Sequence, residues 1–324
     1  MRVALLLTLV LPAAAACDHV TVPARGDAGP DSLATLWEAV DAGPTNFNAV
    51  SGSAADNVFI VGDQGTILHW DGTALLPEPS GTSANLRGVT VGSDSVVYAV
   101  GEQGTVLRRQ SGLWTADPPV TSAVLNGVWA GAATACAVGE LGVVLALANG
   151  VWTVVPNVCS DTNHSCNDNY YAITDSDSGL YVVGSMGVIT QIDATLTTIT
   201  AASIPAYTKL LAGATRAATG AYFVGVEGGM FHYSGGAATQ LQGLPNVFLH
   251  GVSMADADVW VVGNQGFVAK LPAGRIPAST IPTPDERWLI SVYAANASDL
   301  WVVGRSGAIL RGPPGVRGVD GGVN

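Results

Sequence analysis

One phrase of eleven residues occurs seven times in the chain and constrains the fold more than any other sequence feature. Its last copy, at residues 300–310, reads Leu-Trp-Val-Val-Gly-Arg-Ser-Gly-Ala-Ile-Leu. The Val-Gly pairs of the seven copies end at Gly62, Gly101, Gly139, Gly184, Gly225, Gly263 and Gly304. Successive copies are 38 to 45 residues apart. A repeat of roughly 40 residues built from short strands is typical of a propeller blade, so the sequence predicts an all-β, seven-bladed β-propeller.

Each repeat divides into four antiparallel strands. The inner strand opens with phrases such as Leu-Arg-Gly-Val at Leu86, the second carries the Val-Gly pair, the third follows a Gly-x-x-Gly turn, and the fourth follows a turn with Gly and often Trp. Glycine allows the positive φ of a tight hairpin, which explains the turn. Residues two apart on a strand share a face. We therefore expect the residue three positions before the glycine of each Val-Gly pair, usually an aromatic one, to pack between blades together with the valine of that pair. These residues are Phe59, Tyr98, Cys136, Tyr181, Tyr222, Trp260 and Trp301.

The seventh repeat has no closing strand of its own after Leu310. The segment Leu36–Val40, with the sequence Leu-Trp-Glu-Ala-Val, matches the closing strands of the second and third repeats. We therefore predict that this N-terminal strand completes the last blade and removes the exposed sheet edges of an open ring. The predicted propeller spans residues 36–315 and is followed by a flexible tail at 316–324.

Composition limits the partners of the chain. The 324 residues are 48% hydrophobic, and 13 Lys and Arg stand against 25 Asp and Glu, for a net charge of −12. No basic run occurs, so nucleic acid is not an expected partner.

The first residues have the pattern of a secretory signal, with a charge at Arg2 and an apolar run from Val3 to Leu11. Residues 14–17, Ala-Ala-Ala-Cys, resemble a bacterial lipobox, although Ala14 stands where that motif usually has Leu. We predict a signal peptide at 1–16, lipidation of Cys17 and a flexible tether over 17–35, which would anchor the protein on the exported side of a bacterial envelope. The alternative is ordinary cleavage after Ala-x-Ala and secretion.

Two cysteines lie in the longest gap between repeats, at Cys159 and Cys166. In an exported protein this pair predicts a disulfide that holds an inserted loop. A metal site from Asp161, Asn163, His164 and Asp168 is the less favoured alternative, because the loop lacks the glycine and the distal glutamate of a calcium loop. We expect Cys136 to be a buried free thiol, and we expect neither a metal nor a cofactor.

The order of strands places the Gly-x-x-Gly turns and the links from outer to inner strands at one rim. We predict that this acidic, amide-rich rim binds the ligand, although turns are also polar simply because they meet water. The candidate binding residues in the turns are Asp63, Gln64, Glu102, Gln103, Glu140, Glu227, Asn264 and Gln265. Tyr171 and His250 enter inner strands and are expected nearer the central channel.

The repeated Val-Val-Gly-x-x-Gly-x-Ile-Leu phrase, with its following Gly and Trp, resembles propellers related to bacterial neuraminidase repeats, including the photosystem-assembly-factor type. The resemblance covers about residues 36–310 and implies architecture more than activity. Sialidases of that superfamily use three arginines, but arginines do not recur here at one blade position, so no catalytic residue is assigned. We predict a non-enzymatic binding or scaffolding module for a protein or glycan. The alternatives are a sialidase-like carbohydrate-active enzyme and an assembly factor for a membrane complex.

Overall fold

The computed structural model describes residues 37–156, 168–176, 179–193, 199–204, 208–216, 220–284 and 286–312. In this part of the chain, strands form seven four-stranded antiparallel sheets. The inner strands of neighbouring sheets contact each other in sequence, and the last inner strand contacts the first, so the sheets close a ring. The predicted seven-bladed β-propeller is confirmed.

Every blade has an inner, a second, a third and an outer strand, and the blades are numbered along the chain. The inner strands are β2 Phe47–Ala54, β6 Leu86–Val91, β10 Leu125–Ala130, β14 Tyr170–Ser176, β18 Leu210–Arg216, β22 Leu249–Ala255 and β26 Leu289–Asn296. The second strands are β3 Asn57–Gly62, β7 Val97–Gly101, β11 Ala135–Gly139, β15 Gly179–Gly184, β19 Gly220–Gly225, β23 Asp258–Gly263 and β27 Asp299–Gly304. The third strands are β4 Ile67–Trp70, β8 Val106–Gln110, β12 Val144–Ala148, β16 Val188–Asp193, β20 Met230–Ser234, β24 Val268–Leu271 and β28 Ile309–Gly312. The outer strands are β5 Leu75–Pro77, β9 Leu113–Ala116, β13 Val151–Val154, β17 Ile199–Ser203, β21 Ala237–Gln240, β25 Ser279–Thr280 and, in blade 7, β1 Glu38–Ala39.

Inner strands of adjacent blades approach closely because their third residue is small. At Gly88 an added Cβ would lie 3.0 Å from the Asn126 carbonyl oxygen, and at Gly251 it would lie 3.0 Å from that of Ile290. Glycine in the Leu-Arg-Gly-Val and Leu-His-Gly-Val phrases thus permits backbone of one blade to pack on backbone of the next.

The hydrophobic core consists of seven clusters, each between two neighbouring blades. Phe59 and Val61 of blade 1 pack with Leu86 and Val89 of blade 2. Trp301 of blade 7 likewise packs with Phe47 of blade 1. The prediction that the aromatic residue and the valine share the interblade face is therefore confirmed, and the fold is stabilised mainly at the seams between blades.

Tryptophans in the outer strands of blades 2, 3 and 7 link each of these blades to the one before it. The Trp114 indole N–H donates to Glu78 Oε2 at 2.6 Å, and that of Trp152 donates to Asp117 Oδ2 at 3.0 Å. Trp37 repeats the pattern by donating to the Pro282 carbonyl oxygen at 2.9 Å. The expected strand at 36–40 is observed over Glu38–Ala39, where it pairs antiparallel with β28. The outer strand of blade 7 therefore comes from the opposite end of the sequence.

The Gly-x-x-Gly turn joins two antiparallel strands as a tight hairpin with positive φ, as predicted. It is a single 3-10 turn, at Asp63–Gly65, Glu102–Gly104, Glu140–Gly142, Ser185–Gly187 and Val226–Gly228. A further 3-10 turn, Pro272–Gly274, precedes the outer strand of blade 6. In blade 1 the second glycine, Gly65, has φ +70° as expected, but the first, Gly62, is extended at φ −157°. Gly62 is needed because a Cβ would lie 2.3 Å from the Asn46 carbonyl oxygen.

The third residue of the Gly-x-x-Gly turn has a left-handed backbone conformation, which leads to a testable prediction. Leu141 occupies this position with φ +57° and is 62% exposed. Because left-handed backbone costs an ordinary residue about 1 kcal/mol and Asn tolerates it better, we expect Leu141→Asn to stabilise the protein by about 0.5–1 kcal/mol. The control is Leu113→Asn, in an outer strand, which should be neutral or destabilising. Thermal melts measure both, and a destabilised Leu141→Asn would contradict the strain argument.

A partly buried ionic cluster joins blades 1 and 2 around Glu78. Arg109 donates Nε to Oε2 at 2.8 Å and Nη2 to Oε1 at 2.7 Å, and His69 Nδ1 lies 3.0 Å from Oε1. The His69 ring stacks on Phe59 with centroids 4.1 Å apart. Burial opposes ionisation of Glu78, but hydrogen bonds from His69, Arg109 and Trp114 outweigh it and lower the pKa to about 2.

This cluster predicts a pH dependence of stability. The pKa of Glu78 in the folded protein lies below its ordinary value of 4.5. Its contribution to the free energy of unfolding is therefore present above pH of about 4.5 and is lost as the pH falls towards about 2. We expect Glu78→Gln to lower the melting temperature at pH 7 and the difference from the unmodified protein to shrink across that window. Glu227→Gln, on an exposed turn residue, is the control, and a pH-independent difference for Glu78→Gln would refute the assignment.

Candidate functional site

The Gly-x-x-Gly turns and the outer-to-inner links meet at one end of the ring, and this surface is called the rim. The backbone N–H of Gln64 donates to Asn85 Oδ1 at 2.8 Å, in the link that enters blade 2. The Gly307 N–H donates to the Thr45 carbonyl oxygen at 2.8 Å, in the link that enters blade 1. The rim is therefore a continuous surface in which each turn is tied to the next link.

The second residue of the Gly-x-x-Gly turn contacts the second residue of the inner strand in several blades. Asp63 Oδ1 accepts from Asn48 Nδ2 at 2.9 Å, and Asn264 Oδ1 lies 2.6 Å from His250 Nε2. In blade 2 the carboxylate of Glu102 forms an ion pair with Arg87. Sequence reasoning identified most of these residues but not their pairing, which would have been visible as complementary side chains at two fixed repeat positions.

Asp63 lies in a polar network of the rim that joins blades 1, 2 and 7. It also accepts from Asn46 Nδ2 at 2.8 Å, while Asn48 donates to the Leu86 carbonyl oxygen at 2.8 Å and accepts from Arg305 Nη1 at 3.0 Å. Burial would raise the pKa of Asp63, but the hydrogen bonds from Asn48 and Asn46 and the charge of Arg305 lower it overall. Asp63 is therefore ionised at neutral pH and orients its neighbours.

Glu102 is held in a similar way, because the Arg87 hydrogen bond lowers its pKa and Asn85 donates to it at 3.2 Å. The other candidate turn residues differ in exposure. Glu140 and Asn264 are partly buried, whereas the third turn positions point to solvent, namely Gln64, Gln103, Glu227 and Gln265. Ligand binding by any of these residues remains a prediction.

An aromatic patch, defined by Phe248, His250 and Trp288, lies on the rim at blades 6 and 7. Trp288 is 52% exposed and Phe248 is 43% exposed, and their ring centroids lie 6.3 and 6.4 Å from that of His250. Burial and the charge of Arg305 lower the pKa of His250, although the Asn264 hydrogen bond opposes this shift. The patch therefore presents apolar rings around an imidazole that is neutral at pH 7.

Sequence reasoning missed Phe248 and Trp288. Each directly precedes the buried leucine that begins an inner strand, Leu249 and Leu289. Strand alternation at this position points the preceding side chain away from the interblade core, which is the signal that could have found them. The same position holds Asn46, Asn85, Val124, Asn169 and Lys209 in blades 1 to 5. The rim is thus amide-rich at blades 1 and 2 and aromatic at blades 6 and 7.

The structure describes some of the other predicted site residues and leaves others outside the described part of the chain. Tyr171 is partly buried on the rim, with Lys209 Nζ 6.0 Å from its ring centroid. Cys17, Cys159 and Cys166 lie outside the described residues. Cys136 is a free, buried cysteine as predicted, and burial raises the pKa of its thiol to about 12.

Metal-binding and membrane-spanning features are both absent from the described segments between residues 37 and 312. These segments contain no group of three or more His, Cys, Asp or Glu placed to hold a metal ion. Within the same segments no helix has the length and apolar character needed to cross a membrane.

The strands and the rim define a seven-bladed β-propeller with an aromatic patch at one end of its ring. Solved structures share the propeller fold. YCF48 from Cyanidioschyzon merolae matches with a TM-score of 0.70 and 15% identity, over 86% of this chain and 99% of that chain. Virginiamycin B lyase from Staphylococcus aureus matches with a TM-score of 0.75 and 15% identity, over 85% and 98%. A structure of YCF48 bound to D1 peptide matches with a TM-score of 0.68 and 13% identity, over 87% and 97%. No family model and no curated protein matches the sequence.

Proposed function

We propose that this protein is a non-enzymatic binding propeller that holds a partner protein by a peptide segment laid across the rim. The observation that carries the proposal is the exposure of Trp288 and Phe248, each next to His250, on a surface whose backbone is fixed by strands and turns. Large aromatic residues on a rigid surface are typical centres of protein recognition. They contribute large contact areas and lose little side-chain freedom on binding.

A solved propeller with the same fold supports this proposal. One structural neighbour, YCF48, is bound to a peptide in its structure. At 13% identity the likeness concerns the fold alone, so the rim residues of this chain carry the argument. A glycan is the alternative partner, because an exposed tryptophan can also pack on a sugar ring.

We also propose export and a lipid anchor at Cys17. Strand β28 begins at the rim turn of blade 7 and runs away from the rim. Strand β1 is antiparallel to β28, so the described chain enters the ring at the end opposite to the rim. Membrane fractionation of Cys17→Ser tests this proposal, and an equally membrane-bound variant would refute it.

Selection from a displayed peptide library tests the binding function without knowledge of the partner. We expect the protein to enrich a peptide family, and we expect the double variant Phe248→Ala, Trp288→Ala to lose it by more than about tenfold in affinity. The matched control is Leu113→Ala, which removes a side chain that is 72% exposed on the outer strand of blade 2. Enrichment that survives the double variant, or binding only to a glycan array, would overturn the proposal.

A further inference from the structure

Arg305 differs in its surroundings from five other cations of the propeller. Those five form ion pairs with carboxylates, and the pairs are Arg87–Glu102, Arg108–Asp117, Arg109–Glu78, Lys270–Asp258 and Arg311–Asp299. Arg305 instead donates Nη1 to the neutral amide oxygen of Asn48 at 3.0 Å. In the described part of the chain no carboxylate lies within ion-pair distance of it, although Asp63 is close enough for its pKa to respond to the Arg305 charge.

The guanidinium of Arg305 is fixed before any ligand arrives. Asn48, its acceptor, is 8% exposed and is itself held by hydrogen bonds to Asp63 Oδ1 and to the Leu86 carbonyl oxygen. A partly buried arginine with an oriented side chain loses little conformational freedom when a ligand pairs with it.

Arg305 also adjoins the aromatic patch. Its backbone N–H donates to the Trp288 carbonyl oxygen at 2.9 Å, and its charge acts on His250. The Arg305 cation and two exposed rings therefore lie together on the rim, and a second arginine, Arg287, donates Nη1 to the Ser306 carbonyl oxygen at 3.2 Å beside them. The carboxylates of the neighbouring blades are already engaged, because Asp63 accepts from two asparagines and Glu102 pairs with Arg87.

We infer that the rim binds a peptide segment in which a carboxylate side chain stands beside an aromatic or large apolar one. The carboxylate pairs with Arg305 and the apolar side chain packs on Trp288 and Phe248. A basic peptide would meet the charge of Arg305, and the carboxylates of Asp63 and Glu102 are already hydrogen-bonded. This inference rests on the proposed function, because it names the chemistry of the peptide that the same surface would bind.

Four labelled peptides of one length, with both ends capped to remove terminal charges, test the inference by fluorescence anisotropy. Their central pairs are Glu-Phe, Gln-Phe, Glu-Ala and Lys-Phe in a common Gly-Ser background. We expect Glu-Phe to bind most tightly and to exceed Gln-Phe by about fivefold at low salt, with the ratio falling as salt is added. Arg305→Gln should reduce that ratio to about one, whereas Arg305→Lys should retain part of it.

Controls separate this inference from the proposed function. Leu113→Ala should bind all four peptides as the unmodified protein does, and thermal melts show whether the Arg305 variants remain folded. Binding that needs Trp288 but does not distinguish Glu-Phe from Gln-Phe would overturn the inference and leave the proposed function standing. Absence of any peptide binding would overturn both.

Discussion

Replacing Trp301 with alanine is expected to lower the free energy of unfolding by about 3–5 kcal/mol, because it empties a large site between blades 7 and 1. The Trp301 side chain is fully buried and packs with Trp70, whose ring centroid is 5.5 Å away. Arg311 lies over both rings, at 5.1 Å from the Trp301 centroid and 4.3 Å from that of Trp70. Denaturant titration measures the loss.

The matched control is Trp288→Ala, which removes the same side chain from an exposed position on the same blade. With 52% of Trp288 exposed, we expect its loss to change stability by less than about 1 kcal/mol. Similar losses in the two variants would show that the seams between blades are not the main source of stability.

The second large effect is expected from Trp37→Ala, which weakens closure of the ring. Trp37 is 5% exposed, packs with Trp260 and Leu310, and donates its indole N–H to the Pro282 carbonyl oxygen. We expect a loss of about 3–5 kcal/mol from the lost packing and hydrogen bond. Because β1 alone covers the edge of β28, hydrogen exchange should also accelerate in β28.

Trp114→Ala is the control for closure, since Trp114 occupies the equivalent strand of blade 2. There β9 follows β8 directly through a tight turn and stays tethered when its tryptophan is removed. We expect a smaller loss and no faster exchange in β28. If exchange in β28 is unchanged by Trp37→Ala, docking of the N-terminal strand does not depend on this side chain.

Most of the fold is predictable from the sequence because the repeat determines it. The spacing of the Val-Gly pairs predicts seven blades, and the valine and aromatic positions predict the interblade face, as Trp301 and Phe59 show. The conformation of the first glycine of the turn was not predicted. Gly62 is glycine because the Asn46 carbonyl oxygen occupies the place of a side chain, and such an approach involves backbone from a neighbouring strand that spacing cannot reveal.

The candidate site was predicted only in part. Turn spacing places Asp63, Glu102 and Asn264 on the rim, but it does not show that their side chains turn inward to Asn48, Arg87 and His250. The aromatic patch depends on two residues, from blades 6 and 7, that are separated by 40 positions in sequence and meet around His250. Only the ring brings them together, and two aromatic residues in separate links carry no distinctive motif.

Hydrogen exchange of the protein with and without a peptide selected from the library tests the central claim most directly, because it locates the ligand on the ring. The account predicts slower exchange at residues 246–250, 286–290 and 303–306, where the aromatic patch and Arg305 lie, and no change in the turns around residues 111–112 and 149–150 at the opposite end. Protection confined to those opposite turns, with none at the rim, would contradict the claim that the rim is the binding surface.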